Sequence, residues 1–428
     1  MAFLALVLRD PVNRYANTGV VPRWARAPRC RACIDWAVVP WRTGHPVEDR
    51  IGMPKTSDDA WVELFATDPR PWLLSSEEAS AAHWVTLTAL LGRPDDDDDV
   101  RAARDASVAG PMVTGLIDGL PAWGGDAGVS GHDSPAYLPN MLAFLADLGV
   151  RAGDNDRIDN ALDDLCAHQY DDGRFTAFGR APGHPQPVWA SLPCDTHLIT
   201  DVLIRYGRAD HPAVRHARQR ITADLRATNQ GLAWTCIPDP AVGFRGPGRT
   251  GDICPQVTLE ALRAFSRLPV ADRPDGLEAV AGTVLGVWRD RGDHQPYMFG
   301  HGVRFKTVKW PPLWYGAYGV LDTLGRYPRL WRNGTRATRS AIAELVACLI
   351  AYNVAPDGTV TPRSVYRGFT RHSFGQKKHP SPTATALLAA VVRRFSDLAD
   401  DIAEIDVTRL GSSKGGTGAP VAPRPHRA

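Results

Sequence analysis

Cys194–Gly207 reads CDTHLITDVLIRYG, and His211–Leu225, just beyond it, reads HPAVRHARQRITADL. The first stretch is apolar over most of its circumference, as a well-buried helix must be. The second confines Val214, Ala217, Ile221 and Leu225 to one stripe with arginines opposite, the pattern of a helix with one face in solvent. A buried helix followed after a short link by a half-buried one is a helical hairpin.

The hairpin recurs. Buried-type segments begin at Ser80 (SAAHWVTLTALLG), Ser134 (SPAYLPNMLAFLADLG), Cys194, Cys254 (CPQVTLEALRAFSRL), Pro312 (PLWYGAYGVLDTLG) and Ser381 (SPTATALLAAVVRRF), spaced by 54, 60, 60, 58 and 69 residues. Amphipathic helices fall between them: DNDRIDNALDDLCAHQ carries Ile158, Leu162 and Leu165 on one stripe, and DGLEAVAGTVLGVW and TRATRSAIAELVACLIAY follow the same rule. A period near sixty residues with two helices per unit predicts an all-α fold, either a closed (α/α)6 toroid of about six hairpins, with inner helices around a central cavity, or an open solenoid. Strand-like alternation is almost absent. The link from inner to outer helix is short, as from Gly207 to His211, whereas the return link is long and rich in Gly and Pro. Antiparallel hairpins therefore gather every long loop and every inner-helix N-terminus on one end, the natural place for a site.

This organisation divides the 428 residues into an N-terminal arm or extension (1–52), one helical domain (53–408) and a compositionally disordered tail (409–428). Met53-Pro54-Lys55-Thr56 would serve as an alternative start. The 49 basic and 47 acidic side chains nearly cancel, which argues against a nucleic-acid partner. Seven cysteines are too few for a disulfide scaffold, and no apolar run reaches the roughly 20 residues of a membrane span. The opening MAFLALVLRD lacks a basic region and a cleavage site, so a cytoplasmic location is the expectation.

The repeat, with the loop Gln169-Tyr-Asp-Asp172-Gly173-Arg-Phe175 and weaker echoes at Gln230-Gly231-Leu-Ala-Trp234 and Asp357-Gly358, resembles the prenyltransferase/squalene-oxidase repeat superfamily over about residues 58–400. That group contains squalene-hopene cyclases, class II terpene cyclases and the β-subunits of protein prenyltransferases. The resemblance implies the toroid and two site motifs. Class II cyclases protonate an alkene with Asp-x-Asp-Asp-Thr at an inner-helix start. Leu192-Pro193-Cys194-Asp195-Thr196 stands there, keeping the last Asp and the Thr, so Asp195 is the implied catalytic acid. An Asp at this position is also an ordinary helix cap. The prenyltransferase β-subunits hold zinc with Asp-x-Cys and a later His, behind basic residues that bind diphosphate. Asp252 and Cys254 match the two ligands and Arg249 the cation. His197, His301 or His379 would complete the set, with magnesium as a counter-ion of the diphosphate.

Other residues converge on the same end. Cys194, Cys236, Cys254 and His197 have the composition of a closed Cys/His zinc site, although cysteine also serves as a small buried hydrophobe. Cys30-Arg-Ala-Cys33 is a lone CxxC without a second pair. Asp95–Asp99 lies in a short link on the opposite end, where acids suit a helix N-terminus. Trp310, Trp314, Tyr315 and Tyr318 either line a central cavity, where aromatic faces stabilise a cation, or fill the core, and Trp84, Tyr137 and Trp189 stand near other inner helices. Arg245, Arg249, Arg304, Lys306, Lys309, Arg363, Arg367, Arg371, Lys377 and Lys378 give the long-loop end a basic rim. The expected function is a terpenoid-cyclase- or prenyltransferase-like enzyme acting on a prenyl diphosphate, an anion with an apolar tail, with peripheral membrane contact compatible with such a ligand. The alternatives are a non-catalytic toroid that binds a ligand or protein, and a zinc enzyme acting on a non-isoprenoid substrate.

Overall fold

The structure is a computed structural model that describes residues 57–76, 80–124, 133–181, 184–296, 299–300 and 302–410. The expectations for the arm 1–52, the Cys30–Cys33 pair, the segment Met53–Thr56, His301 and the tail from Gly411 lie outside the described residues.

The described chain is mainly helical. After the 3-10 segment Ser57–Phe65 come α1 (Arg70–Ser75), α2 (Ser80–Val85), α3 (Asp98–Ala109) and α4 (Pro111–Asp118). Next are α5 (Leu138–Asp147), α6 (Asp156–Ala167), α7 (Pro193–Arg205) and α8 (Pro212–Asp224). The second half carries α9 (Pro255–Ser266), α10 (Leu277–Arg289), α11 (Gly302–Lys306) and α12 (Ala317–Leu324). It ends with α13 (Arg329–Arg332), α14 (Arg336–Asn353), α15 (Pro382–Arg393) and α16 (Ala399–Ala403). Among the described residues no helix is long and apolar enough to cross a membrane.

The two helix types separate as their patterning dictates. Every residue of α7 from Pro193 to Ile204 is buried, and α9 and α15 are nearly as enclosed. α6 buries only Ile158, Ala161, Leu162 and Leu165, and α8 only Val214, Ala217, Ile221 and Asp224. Proline occupies the first turn of α5, α7, α9 and α15, where its missing N–H has no intrahelical acceptor to lose. α5 packs against α7, α7 against α9, α9 against α12, α12 against α15, and α15 against α2. Four of these have a partially buried companion: α3 packs on α2, α8 on α7, α10 on α9 and α14 on α12.

The sequence loops fit this packing closely. Gln169 donates to the carbonyls of Gly173 (2.9 Å) and Ala213 (2.8 Å), tying the loop before α7 to the first turn of α8. Gly173 sits at φ +93°, and Phe175 is fully buried.

Three differences from the sequence reading stand out. The fourth long loop does not enter a helix at Pro312. α12 begins only at Ala317, because Pro311 and Pro312 supply no donors and hold the residues before them extended. Lys309–Trp310 instead pairs in parallel with Ser364–Val365 across a cis Trp310–Pro311 bond. Short antiparallel pairs also stiffen two other long loops, Ala177–Gly179 with Val188–Ala190 and Arg226–Thr228 with Gly231–Ala233, where almost no strand was expected. The segment from Ser80 is α-helical only to Val85 and continues as a π-helical turn over Thr86–Leu90. In the acidic run, Asp97 caps α3 by accepting from Asp99 N (2.9 Å) and Val100 N (3.4 Å) and pairs with Arg93 (2.7 Å).

Candidate functional site

α7 and α9 pack against each other, and the residues at both N-termini, Pro193, Cys194, Cys254 and Pro255, line one cavity. The loop between Cys236 and Ile253 folds over these ends. Asp239, almost fully buried, pins it: one carboxylate oxygen accepts from Ser191 N (2.6 Å) and Tyr170 Oη (3.2 Å), the other from Ala241 N and Val242 N (2.7 Å each). Under the loop is a cavity with an empty volume of about 630 Å³, its mouth included. Leu192, Phe244, Ile253, Val257, Trp314 and Tyr315 supply its apolar wall, an ordinary composition for a small-molecule pocket.

Cys194, Cys236 and Cys254 all line this cavity. Cys254 is the residue before the first turn of α9 and takes the carbonyl of Trp234 on its N–H (2.9 Å). Gly246 and Gly248 make room for the Cys236 sulfur: a Cβ on either would stand 3.2 or 3.0 Å from it. The Cys254 thiol donates to that sulfur and, against the effect of burial, with help from the Gly248 N–H and the Arg245 charge, lowers the Cys236 pKa to about 7. The same hydrogen bond, with burial behind it, pushes Cys254 well above the ordinary thiol range, and burial does the same to Cys194.

Asp195 is fully buried at the start of α7. Its Oδ2 accepts from the backbone N–H of Leu192 (3.0 Å), closing a cap over the helix start, and its Oδ1 accepts from the Tyr137 hydroxyl (2.6 Å). The residue thus knits α7 to the start of α5.

The two residues implied as zinc ligands face different partners. Asp252 Oδ1 accepts from Asn229 Nδ2 (2.9 Å) and Gln230 Nε2 (3.1 Å), and its Oδ2 faces His294 Nε2 at 3.4 Å. Cys254 is engaged with Cys236. His197 Nδ1 donates to the Val257 carbonyl (2.8 Å), and burial pushes its pKa to about 4, leaving a neutral ring that ties α7 to α9. His379 is exposed in the loop before α15. Among the described residues no group of three His, Cys, Asp or Glu side chains is placed to hold a metal ion.

The rim cations fall into two groups. Arg245 and Arg249 are exposed on either side of the cavity-lining run Gly246–Gly248, and Arg245 donates to Thr250 Oγ1 (2.9 Å). Arg304 is exposed on α11, whose Phe305 carbonyl abuts Gly316 beside Tyr315. Lys306 lies over the Tyr352 ring (5.2 Å) and Lys309 over Tyr366 (3.7 Å). The aromatics divide as well. Trp314 and Tyr315 line the cavity with ring centroids 4.5 Å apart. Trp310 and Tyr318 pack on each other in the core, 5.9 Å apart.

Sequence reasoning passed over several residues that shape this region. A second cavity, about 360 Å³ of empty space with its open side included, lies between α5, α7 and α9, with Gln256 and Glu260 in its wall. Glu260 is fully buried, and burial raises its pKa well above the usual carboxylate range. At the other ends of the buried helices, Asp201 pairs with Arg267, Asp147 with Arg205, and Asp322 with Arg326 and Arg394. A signal for these was present in the sequence, because five of the six buried-type segments, all but the one from Ser80, carry an Asp or Arg in their second half. No family model matches this chain, and no curated protein matches it either.

Proposed function

We propose that this chain is an isoprenoid-handling enzyme built as a closed (α/α)6 toroid, acting on a prenyl diphosphate. The ring is supported by the neighbour order of the buried helices, in which α15 returns to α2. The substrate reading rests on one observation: an apolar pocket, about 630 Å³ of empty space with its open mouth included, carries Trp314 and Tyr315 in its wall and Arg245 and Arg249 beside its glycine-lined loop. An apolar tail fits the wall, and the diphosphate meets the two guanidinium groups, which suit bidentate phosphate contacts. Departure of diphosphate with the C–O electron pair leaves an allylic cation, whose charge the faces of Trp314 and Tyr315 favour until it loses a proton or takes up water. Magnesium arriving with the diphosphate would share the leaving group's charge. This route needs no acid from the protein, which agrees with a buried Asp195 whose oxygens cap α7 and meet Tyr137.

The test is incubation of the purified chain with geranyl, farnesyl and geranylgeranyl diphosphates, with and without magnesium, following thermal stabilisation and inorganic diphosphate release. Saturating ligand stabilises by about 2.7 kcal/mol at a hundredfold excess over Kd. Stabilisation without turnover selects the non-catalytic binding reading. Neither effect with any of the three removes the isoprenoid reading.

A further inference from the structure

The second, more polar cavity adjoins the first, and Gln256 stands in the walls of both. One turn further along α9 comes Glu260. Gln256 is 6% exposed and Glu260 is 0% exposed. The Gln256 amide donates to Glu260 Oε1, which leaves Gln256 Oε1 and Glu260 Oε2 without a hydrogen-bond partner, beside Arg263 Nε, which has none either. Buried polar atoms are rarely left so, and each costs about 1–3 kcal/mol when unpaired. With its Oε1 already accepting and burial favouring the neutral acid, Glu260 presents Oε2 as an O–H donor. The wall therefore offers one acceptor and one donor about a helical turn apart, which is the complement of a single hydroxyl group. Of the other charged side chains in this wall, Arg263 faces the Asp201 carboxylate at 3.9 Å and Asp147 pairs with Arg205, so each already has an opposite charge within reach, which favours a neutral group over an ion.

We propose that Gln256 and Glu260 form a recognition site for a neutral hydroxyl at the distal end of an apolar ligand whose anionic end meets the rim. Resting on the isoprenoid reading, this names the substrate class as a prenyl diphosphate hydroxylated at the end remote from the diphosphate. A site built to satisfy a hydroxyl discriminates strongly against the analogue that lacks it, because its own polar atoms then stay unpaired.

The experiment compares the affinity of geranyl diphosphate with that of its ω-hydroxylated form for the full chain and for Gln256→Leu, Glu260→Gln and Glu260→Leu, each checked by thermal melting for a native fold. The hydroxylated ligand binds at least about tenfold more tightly to the unaltered chain. That preference shrinks in Gln256→Leu and approaches unity in Glu260→Leu, with Glu260→Gln, which keeps a donor, in between. Equal affinity for the two ligands, or a preference that survives both leucine variants, overturns the proposal. If neither diphosphate binds, the isoprenoid reading fails separately and decan-1-ol against decane decides the wall. A preference for the alcohol that Glu260→Leu abolishes upholds it, and no preference overturns it.

Discussion

A Cβ placed on Gly173 would stand 2.7 Å from the carbonyl oxygen of His216, a residue of α8. The loop before α7 is thereby pressed onto the helix that follows α7, which explains why a glycine at φ +93° closes the Gln169–Phe175 motif. The weaker echoes obey the same rule: a Cβ on Gly231 would meet Thr283 Oγ1 of α10 at 2.6 Å, and one on Gly358 the Thr67 carbonyl at 2.3 Å. Gly173→Ala combines left-handed strain with a backbone clash and is expected to lower stability by about 2–4 kcal/mol. Gly153, at φ +84° with nothing within 4 Å of its Cβ, provides the comparison, and alanine there costs only about 1 kcal/mol. Urea unfolding of the two variants checks the difference, and equal losses would show that the contact contributes nothing.

The ion pairs at the far ends of the buried helices make stability sensitive to acid. Burial alone would raise the Asp201 pKa, but the guanidinium groups of Arg267, Arg263 and Arg205 outweigh it and hold the carboxyl below its ordinary value. Asp322 is held well below by Arg326 and Arg394, again against burial. A carboxyl depressed in the folded state contributes stability that is complete above its unfolded pKa near 4 and is lost as pH falls through the folded value. The chain is therefore expected to lose stability steeply below about pH 4. Asp201→Ala strips a buried partner from Arg267 and is expected to cost about 3–5 kcal/mol at neutral pH while flattening the acid limb. Thermal melts from pH 3 to 7 measure both effects, and an unchanged acid limb in the variant would place its origin elsewhere.

The three cavity cysteines are expected to react at very different rates. Because the Cys254 thiol donates to its sulfur, Cys236 titrates near pH 7, whereas Cys194 and Cys254 stay protonated well into the alkaline range. Iodoacetamide followed by peptide mass mapping should label Cys236 first, its rate rising with an apparent pKa of about 7. Cys254→Ala removes the donor and should shift that midpoint upward. Equal labelling of all three across the pH range would contradict this arrangement.

The helices and their two burial types were legible because periodicity reports directly on how many faces a helix hides. α7 and α8 follow CDTHLITDVLIR and PAVRHARQRITAD almost to the residue. Loop conformation was less legible. The tryptophan-rich run at Lys309–Tyr315 reads as a helix only if its apolar residues are counted and the Pro311–Pro312 pair is not, and its strand partner lies over fifty residues away. The site suffered a related blindness. Asp252 and Cys254 are two residues apart, yet the turn into α9 directs one to Asn229 and Gln230 and the other to Cys236. Spacing alone cannot convey that divergence. Glu260 passed unnoticed because one acid in an apolar helix looks like a solvent-facing residue until its neighbours α5 and α7 close over it.

The rim cations should differ in their effect on ligand binding. Arg245 and Arg249 bracket the cavity loop and are exposed, whereas Lys306 and Lys309 already lie over Tyr352 and Tyr366. Arg249→Gln and Arg245→Gln are each expected to weaken farnesyl diphosphate binding by about tenfold, the scale of one charge-assisted hydrogen bond. Lys306→Gln should change it less than about twofold. Calorimetric titrations of the three variants at one fixed ionic strength decide the matter, and equal effects would mean that the rim acts only as a diffuse positive field.

Asp252 provides the sharpest separation between a loop latch and a metal ligand. As a latch, its carboxylate accepts from Asn229 and Gln230, while Gln230 Oε1 in turn accepts from Ile253 N (2.9 Å), so the turn into α9 is held by a small closed network. Asp252→Asn keeps the shape but turns one acceptor into a donor, and Asp252→Ala removes both. The alanine variant is expected to lose about 1–3 kcal/mol, because two amide groups forfeit their acceptor in a part-buried turn. Burial opposes ionisation of Asp252, but the amides of Asn229 and Gln230, assisted by His294, lower its pKa, so this contribution too is present at neutral pH and lost as pH falls below about 4. If Asp252 were instead a zinc ligand, protein purified without chelator would carry about one equivalent of zinc, chelation would destabilise it, and Asp252→Ala and Cys254→Ala would lose metal and stability together. The latch predicts that chelator leaves the melting curve unchanged and that Cys254→Ala does not reproduce the loss seen in Asp252→Ala. Elemental analysis and melts with and without chelator discriminate the two, and stoichiometric zinc lost in both variants would restore the metal.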